Sequence, residues 1–238
     1  MATREALAQE NRRNLERVTT LLLAESKKLL ANGDGLTQQE LGGFLRQLVP
    51  GIIAQYGNVN AVLAVNYYDV VRELFSKSTK SYKAYIPNLD PFEEVDSIVG
   101  YGMAHFQEKG FTQLPDILAN AITRPVTNWN RDTMRQNSIS DPARTVIQRV
   151  ARADACAFCA MAALNSTKVI EGETMVISPT SYRKKFHDQC HCTEEVIFQG
   201  EDLITPPYYQ TFQMQYDEAQ GGTTSEVLAT IRQQTGRS

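Results

Sequence analysis

Apolar residues recur every three or four positions through most of this chain, the period of a helix with one buried face. Leu7, Leu15, Val18, Leu21, Leu22 and Leu29 keep that spacing over residues 2 to 31, with charges between them, and predict one long helix. Asn32-Gly33-Asp34-Gly35 ends it, as residues tolerant of unusual backbone angles do past a helix. Thr37 and Glu40 form a Thr-x-x-Glu capping box. It opens a second helix whose apolar face carries Leu41, Phe44, Leu45, Leu48, Ile52 and Tyr56. Pro50-Gly51 is expected to kink or split that helix, and Gly57-Asn58 punctuates the chain again. A third helix is expected from about Asn60 to Phe75, with Leu63, Tyr67, Val71 and Leu74 inward.

Residues 76 to 91 carry Ser, Lys, Tyr and two prolines and read as a loop. Helical spacing resumes over 92 to 109 and over 114 to 122, where Pro115 suits a first turn. It continues over 127 to 136 and over 142 to 151, with Asp141-Pro142 as a helix start. After Ala155 the texture changes. Glu173 to Ser178 and Glu194 to Gln199 are short and rich in Val, Ile, Thr or Phe, and are expected to pair as two strands. Helical spacing returns over 207 to 219 and, past Gly221-Gly222, over 225 to 234. The expected fold is mainly α, of the α+β kind: a multi-helix body with a small C-terminal mixed module holding a β-hairpin and a Cys/His metal site. The expected division is a helical body over 1–125, the module over 126–205, and C-terminal helices over 206–238 that pack back.

Composition changes this picture little. Apolar residues make up 42% and charged residues 21%, values of an ordinary globular chain, which argues against wholesale disorder. The net charge of −3 argues against a nonspecific nucleic-acid coat, which is strongly basic. The N-terminus is polar, without the apolar stretch of a secretory leader, and no run of about 18 apolar residues suggests a membrane span. The expectation is a protein made in a cytoplasm with no membrane partner. Thiols there stay reduced, so clustered cysteines are more often metal ligands than disulfides.

Such a cluster exists. All four cysteines lie between positions 156 and 192, as Cys156-x-x-Cys159 and then His187-x-x-Cys190-His191-Cys192. Zinc takes four ligands in a tetrahedron, with thiolates at about 2.3 Å and imidazole nitrogens at about 2.0–2.1 Å. A Cys-x-x-Cys turn brings two sulfurs to one side of an ion, and a distant second pair closes the shell. Cys156, Cys159, His187, Cys190 and Cys192 therefore compete for four places around a structural Zn2+. Cys192 with either Cys190 or His187 would complete the first pair, and His191 is squeezed between two candidates. Other readings of the same residues are buried reduced thiols without metal, or a disulfide from Cys156 or Cys159 to Cys190 or Cys192. A Cys–His nucleophile is a further one, but it does not need cysteines in sets. A metal-finger nuclease would need catalytic groups beyond the zinc ligands, and this module has few.

Ala155-Cys156-Ala157-Phe158-Cys159-Ala160-Met161, followed by Phe186-His187-x-x-Cys190-x-Cys192, resembles the signature of Mu-F-like minor head proteins of tailed bacteriophages, and within them the branch from phages of actinobacteria. Arg149-Val150-Ala151-Arg152, Pro206-Pro207-Tyr208-Tyr209 and the helix with Tyr67, Tyr68, Asp69 and Arg72 also look like that branch. The likeness is sharp over about 60 residues. Typical members have Arg between the last two cysteines where this chain has His191, so any role of that Arg is unavailable. The resemblance implies a minor capsid or head morphogenesis protein, with portal and capsid or scaffold proteins as partners and DNA as a further one. It places the chain in the virion, in the head interior or portal region. Some members are labelled capsid maturation protease, but this chain offers no convincing nucleophile and base, so no catalytic residue is named. A capsid protease, a metal-dependent nuclease and an internal DNA-binding head protein remain the alternatives.

Arg124, Arg131, Arg135, Arg144, Arg149 and Arg152 outnumber the acids Asp132 and Asp141 in their stretch, and Arg183-Lys184-Lys185 precede His187. The first group reads either as a solvated helix face with local acid partners or as a phosphate-binding face; the second is the candidate contact for nucleic acid or a partner protein. Tyr208, Tyr209, Phe212 and Tyr216 share a helical face and are expected to pack in a core. Trp129 is expected to anchor a helix junction, and His105 to be an ordinary partly buried histidine.

Overall fold

The computed structural model describes residues 3–143, 145–171, 192–219 and 222–235. Helix α1 spans Arg4–Leu30 and α2 Gln38–Phe75; α3 follows at Val95–Lys109 and α4 at Leu114–Ser140. Strand β1 is Thr145–Val150, α5 is Ala157–Glu171 and β2 is Thr193–Phe198. Helices α6, Tyr209–Glu218, and α7, Thr224–Thr235, complete the order. The fold is mainly helical with a small antiparallel sheet of β1 and β2.

The capping box forms as the sequence requires. The Thr37 N–H donates to Glu40 Oε2 at 2.9 Å, and the Glu40 N–H donates back to Thr37 Oγ1 at 3.4 Å. The Thr37 hydroxyl, donating to Glu40 Oε2 at 2.6 Å, and then the Thr37 N–H hold the Glu40 carboxyl below its usual range. From there α2 runs unbroken to Phe75, through Pro50-Gly51 and through Gly57-Asn58, where breaks are expected. Proline removes one N–H and costs about 3 kcal/mol, and a glycine costs about 1 kcal/mol. Against this α2 buries side chains on every turn, including Leu41, Leu45, Val49, Ile53, Ala61, Ala64, Tyr68 and Val71. Gly57 is part of the design. A Cβ there would stand 2.5 Å from Trp129 Cδ2, so the bare backbone lets α4 lay its tryptophan directly on α2. Gly102 does the same for Leu118 between α3 and α4. Trp129 is thus the anchor of the α2–α4 junction.

By length and composition α2 also meets the demands of a membrane crossing: its most apolar 18 residues average 1.4 in mean hydropathy. Half of that stretch is buried in the protein, as in the central helix of a bundle. Leu74, expected inward, is exposed. The expected helices over 114–122 and 127–136 are one helix, α4, which accommodates Pro125 and runs across residues 125 and 126, where the sequence suggests a boundary.

Residues 142–151, expected to be helical, form β1 instead. Thr145, Val146, Ile147 and Val150 are β-branched and favour an extended backbone. Asp141 does not start a helix; its carboxylate accepts the Ala143 N–H at 2.8 Å, in a turn that leads from α4 into the strand. The strand expected at 194–199 exists as β2 and pairs with β1, from Thr145 opposite Phe198 to Val150 opposite Thr193. Its expected partner over 173–178 lies outside the described residues. All six residues of β2 are buried.

Candidate functional site around the cysteine pair

Cys156 stands just before α5 and Cys159 in its first turn. The Cys159 N–H donates to Cys156 Sγ at 3.4 Å, so the Cys156 thiol sits over the first turn of α5. Cys159 and Cys192 are buried and Cys156 is half-buried, and no disulfide joins these three to one another. All three join one apolar cluster with Ala151, Ala160, Ala163, Leu164, Tyr209 and Phe212. Helix α6 supplies the aromatic side of that cluster, as the spacing of Tyr208, Tyr209, Phe212 and Tyr216 suggests. The Ala151 N–H donates to Tyr209 Oη at 3.0 Å, and Tyr208 Oη donates to the Ala151 carbonyl at 2.8 Å. The two tyrosines clasp the link between β1 and α5 and fix where the cysteine turn sits.

Around the cysteines the charges are internal. Arg149, 1% exposed, points a guanidinium nitrogen at Cys159 Sγ, 3.6 Å away, with its other side over the Phe158 ring. Arg131 donates to the Cys192 carbonyl at 3.1 Å and to Asn128 at 3.0 Å. Arg135 pairs with Glu194 and, at 3.5 Å, with Asp132. From α1, Arg12 donates to Thr193 Oγ1 at 3.4 Å, and Arg4 reaches the Val196 carbonyl and lies 3.9 Å from Glu195. Tyr67 donates to the same Glu195 carboxylate. Burial raises the Glu195 pKa; Arg4 and the Tyr67 hydrogen bond oppose the rise. Glu194 Oε2 and Glu195 Oε1 have no hydrogen-bond partner among the described residues.

The arginine-rich stretch is therefore divided: half of it turns inward, Arg124 and Arg152 keep partly exposed side chains with acid partners, as the solvated reading has it, and Arg144 lies outside the described residues. Arg131, Arg135 and Arg149 are buried, Arg124 pairs with Glu94 at 2.7 Å, and Arg152 pairs with Glu16 at 2.7 Å and Asp154 at 2.9 Å. The sequence carried a signal for this. Two adjacent acids, Glu194 and Glu195, interrupt a short strand of otherwise β-forming residues, and buried acids in a strand need cations brought to them. His105 is partly buried with its ring edge-on to Tyr101, centroids 4.6 Å apart, as an ordinary packing histidine.

Of the residues proposed as zinc ligands, Cys156, Cys159 and Cys192 come together in one cluster. His187 and Cys190 lie outside the described residues, as do His191 and the basic triad Arg183, Lys184 and Lys185. Among the described residues no three His, Cys, Asp or Glu side chains form a group that could hold a metal ion. The thiol chemistry suits zinc, and Cys156, Cys159 and Cys192 lie in one apolar cluster. Closing a four-ligand shell there would need Cys190 or His187 as well.

A protein-family model described as VG15 protein matches residues 1–219, which takes in the whole helical body, the sheet, the cysteines and α6. No curated protein and no solved structure matches the chain.

Proposed function

From the premise that this chain belongs to the VG15 protein family, a family of phage proteins, we propose that it is a structural minor capsid or head morphogenesis protein of a tailed phage. On this reading it acts during head assembly near the portal and the packaged DNA, is made in the host cytoplasm and ends in the virion. Portal and capsid or scaffold proteins are its partners. The observation that supports the reading is the packing of Cys156, Cys159 and Cys192 into one apolar cluster, because those cysteines belong to the motif through which the chain resembles Mu-F-like minor head proteins.

Zinc fits the donor set. Cys156 and Cys159 would supply one side of the shell, and Cys192 with Cys190 or His187 the other. Bound there, zinc would supply a cross-link between the start of α5 and the start of β2, in a module with little apolar core of its own. Arg149, beside Cys159 Sγ, would offset part of the thiolate charge, and Arg131 holds the Cys192 carbonyl in place. The chain's work on this reading is architectural, and no residue is given a catalytic role. With Arg131, Arg135 and Arg149 engaged inside, Arg183, Lys184 and Lys185 are the proposed contact for portal surface or DNA.

Two measurements test this. Mass spectrometry of purified virions should find the chain in the particle, and its absence from both mature heads and head precursors would refute the assignment. Metal analysis of the purified protein should give close to one zinc per chain, lost in the Cys156→Ser, Cys159→Ser double variant. A metal-free protein whose melting is unchanged by that double substitution would end the zinc reading.

A further inference from the structure

The buried face of α1 changes character along its length. Its inward residues are Arg4, Ala8, Asn11, Leu15, Val18, Leu22, Ser26 and Leu30, at helical spacing. Val18, Leu22 and Leu30 lie in the main apolar core. The first turns, residues 4–14, have no comparable hold. Their inward residues are two polar side chains and an alanine, and of their larger apolar side chains only Leu7, half-buried, packs against an apolar cluster.

Those turns meet β2 through long side chains; the two backbones do not pack against each other. Arg4 reaches the Val196 carbonyl, stands 3.9 Å from Glu195 Oε2, and lies over the Tyr67 and Phe75 rings, 5.8 and 5.4 Å from their centroids. Arg12 donates to Thr193 Oγ1 at 3.4 Å, a long hydrogen bond. The rest of the seam is unmatched. Arg4 Nε and Nη1, Asn11 Nδ2 and Arg12 Nε on α1 are buried with no hydrogen-bond partner among the described residues, and so are Glu194 Oε2 and Glu195 Oε1 on β2. Donors stand on one side and acceptors on the other, yet they do not bond. A closed seam of this kind holds its polar atoms out of water at a cost that an apolar seam does not carry.

We infer that the first turns of α1 are a latch on the sheet with Arg4 as its catch: residues 4–14 leave β2 and uncoil together, while Val18 to Leu30 stay docked. Opening exposes little apolar surface, since Ala8 is small and Leu7 is already half in water, and it returns the orphan atoms to solvent. The sheet side does not need the latch to stay in place. Tyr67 keeps its hydrogen bond to Glu195, and Arg135 keeps Glu194. The released piece does not swing as a rigid rod, because α1 contains no glycine or proline to bend at. A helical segment this short is marginal once it stands alone, so release and uncoiling are one event. The open state bares Glu194, Glu195 and the Val196 carbonyl, which the closed state hides.

The test is native-state hydrogen exchange of the full chain, read on overlapping peptides across α1 and corrected for intrinsic rates, with circular dichroism to show that each variant is folded. In the wild type, the amides of residues 8–14 should exchange at least about tenfold faster than those of 18–30, with a step near Leu15. Arg4→Ala should speed exchange in 8–14 by about tenfold more and leave 18–30 unchanged. Arg13→Ala, on the exposed side of the same turns, should move neither stretch. Equal exchange in the two stretches of the wild type overturns the inference, and this reading needs no variant. So does an Arg4→Ala protein in which both stretches speed up alike, which would make Arg4 a support of the whole helix. A smooth gradient that Arg4→Ala does not move, or that Arg13→Ala moves as much, is the fraying of any helix end and overturns it too.

Discussion

The contact between the helical body and the sheet can be tested at one carboxylate. Asp141 ends α4 with its side chain fully buried, and it accepts four hydrogen bonds. Its Oδ2 takes Arg72 Nε at 2.7 Å and Tyr68 Oη at 3.1 Å, and its Oδ1 takes Arg72 Nη2 at 3.2 Å and the Ala143 N–H at 2.8 Å. Asp141→Asn keeps the shape and removes the charge. One oxygen becomes an amide nitrogen, which faces donors only. Leaving one partner of a buried ion pair uncompensated costs about 3–5 kcal/mol. Arg72 keeps the Lys80 carbonyl at 2.7 Å, the Tyr82 ring at 5.6 Å and a 12% exposed side chain, which places the loss at the lower end. We expect about 3 kcal/mol, and for a chain of this size a fall in Tm of about 6–12 °C. Tyr68→Phe removes one of the four bonds and leaves the ion pair, so its cost is about 1 kcal/mol. Urea unfolding followed by circular dichroism measures both. An Asp141→Asn protein within about 1 kcal/mol of wild type, or one no less stable than Tyr68→Phe, would refute the reasoning.

Three further outcomes follow from the same structure. Gly57→Ala gains about 1 kcal/mol of helix propensity but drives a methyl into Trp129, an overpacking cost of about 1–3 kcal/mol, so it should destabilise; Gly43→Ala, in the same helix with nothing within 4 Å, should stabilise, and thermal melts that reverse this order would contradict the close approach of α4. Thr37→Ala removes the cap of α2 and should cost about 1 kcal/mol in denaturant unfolding, with no loss contradicting the capping box. Burial pushes Tyr56 and Tyr82 up to about 12 and raises Tyr67, Tyr68 and Tyr209 further. The unfolded chain loses these protons near pH 10, before the folded one does, so their contribution to stability is complete below about pH 10 and disappears as pH rises through the folded values. Absorbance of the phenolate should therefore lag behind a free-tyrosine titration and then jump as the protein unfolds; a smooth titration of all ten tyrosines near pH 10 with unchanged circular dichroism would contradict the burial of these five.

Much of the helical body was legible because its period is long and its caps are local. Thr37 and Glu40 announce α2 from nearby positions, and the leucines of α1 keep one face throughout. Other residues take their meaning from tertiary contacts. Gly57 reads as punctuation until Trp129 is seen lying on it, and Pro50 as a break until the buried side chains around it are counted against one missing hydrogen bond. Asp141-Pro142 is ambiguous between a helix start and a turn, and the β-branched residues after it decide the matter. At the candidate site, the spacing of Cys156, Cys159 and Cys192 suggests convergence on an ion; the three share an apolar cluster, and among the described residues they do not form a metal-holding group. The buried arginines were not legible, because guanidinium groups at 131, 135 and 149 look the same in a sequence whether they face water or Glu194. Only the partner, 59 residues away for Arg135, tells the two apart.

The reach of Arg4 to the Val196 carbonyl joins positions separated by 192 residues. On the ribosome, α1 emerges and can coil long before the strand that anchors its beginning leaves the exit tunnel. Synthesis at about 5–20 residues per second makes that wait about ten to forty seconds. Through it the inner face of α1 must lean on α2 and α4 alone, and its first turn is fastened to the sheet only when β2 arrives.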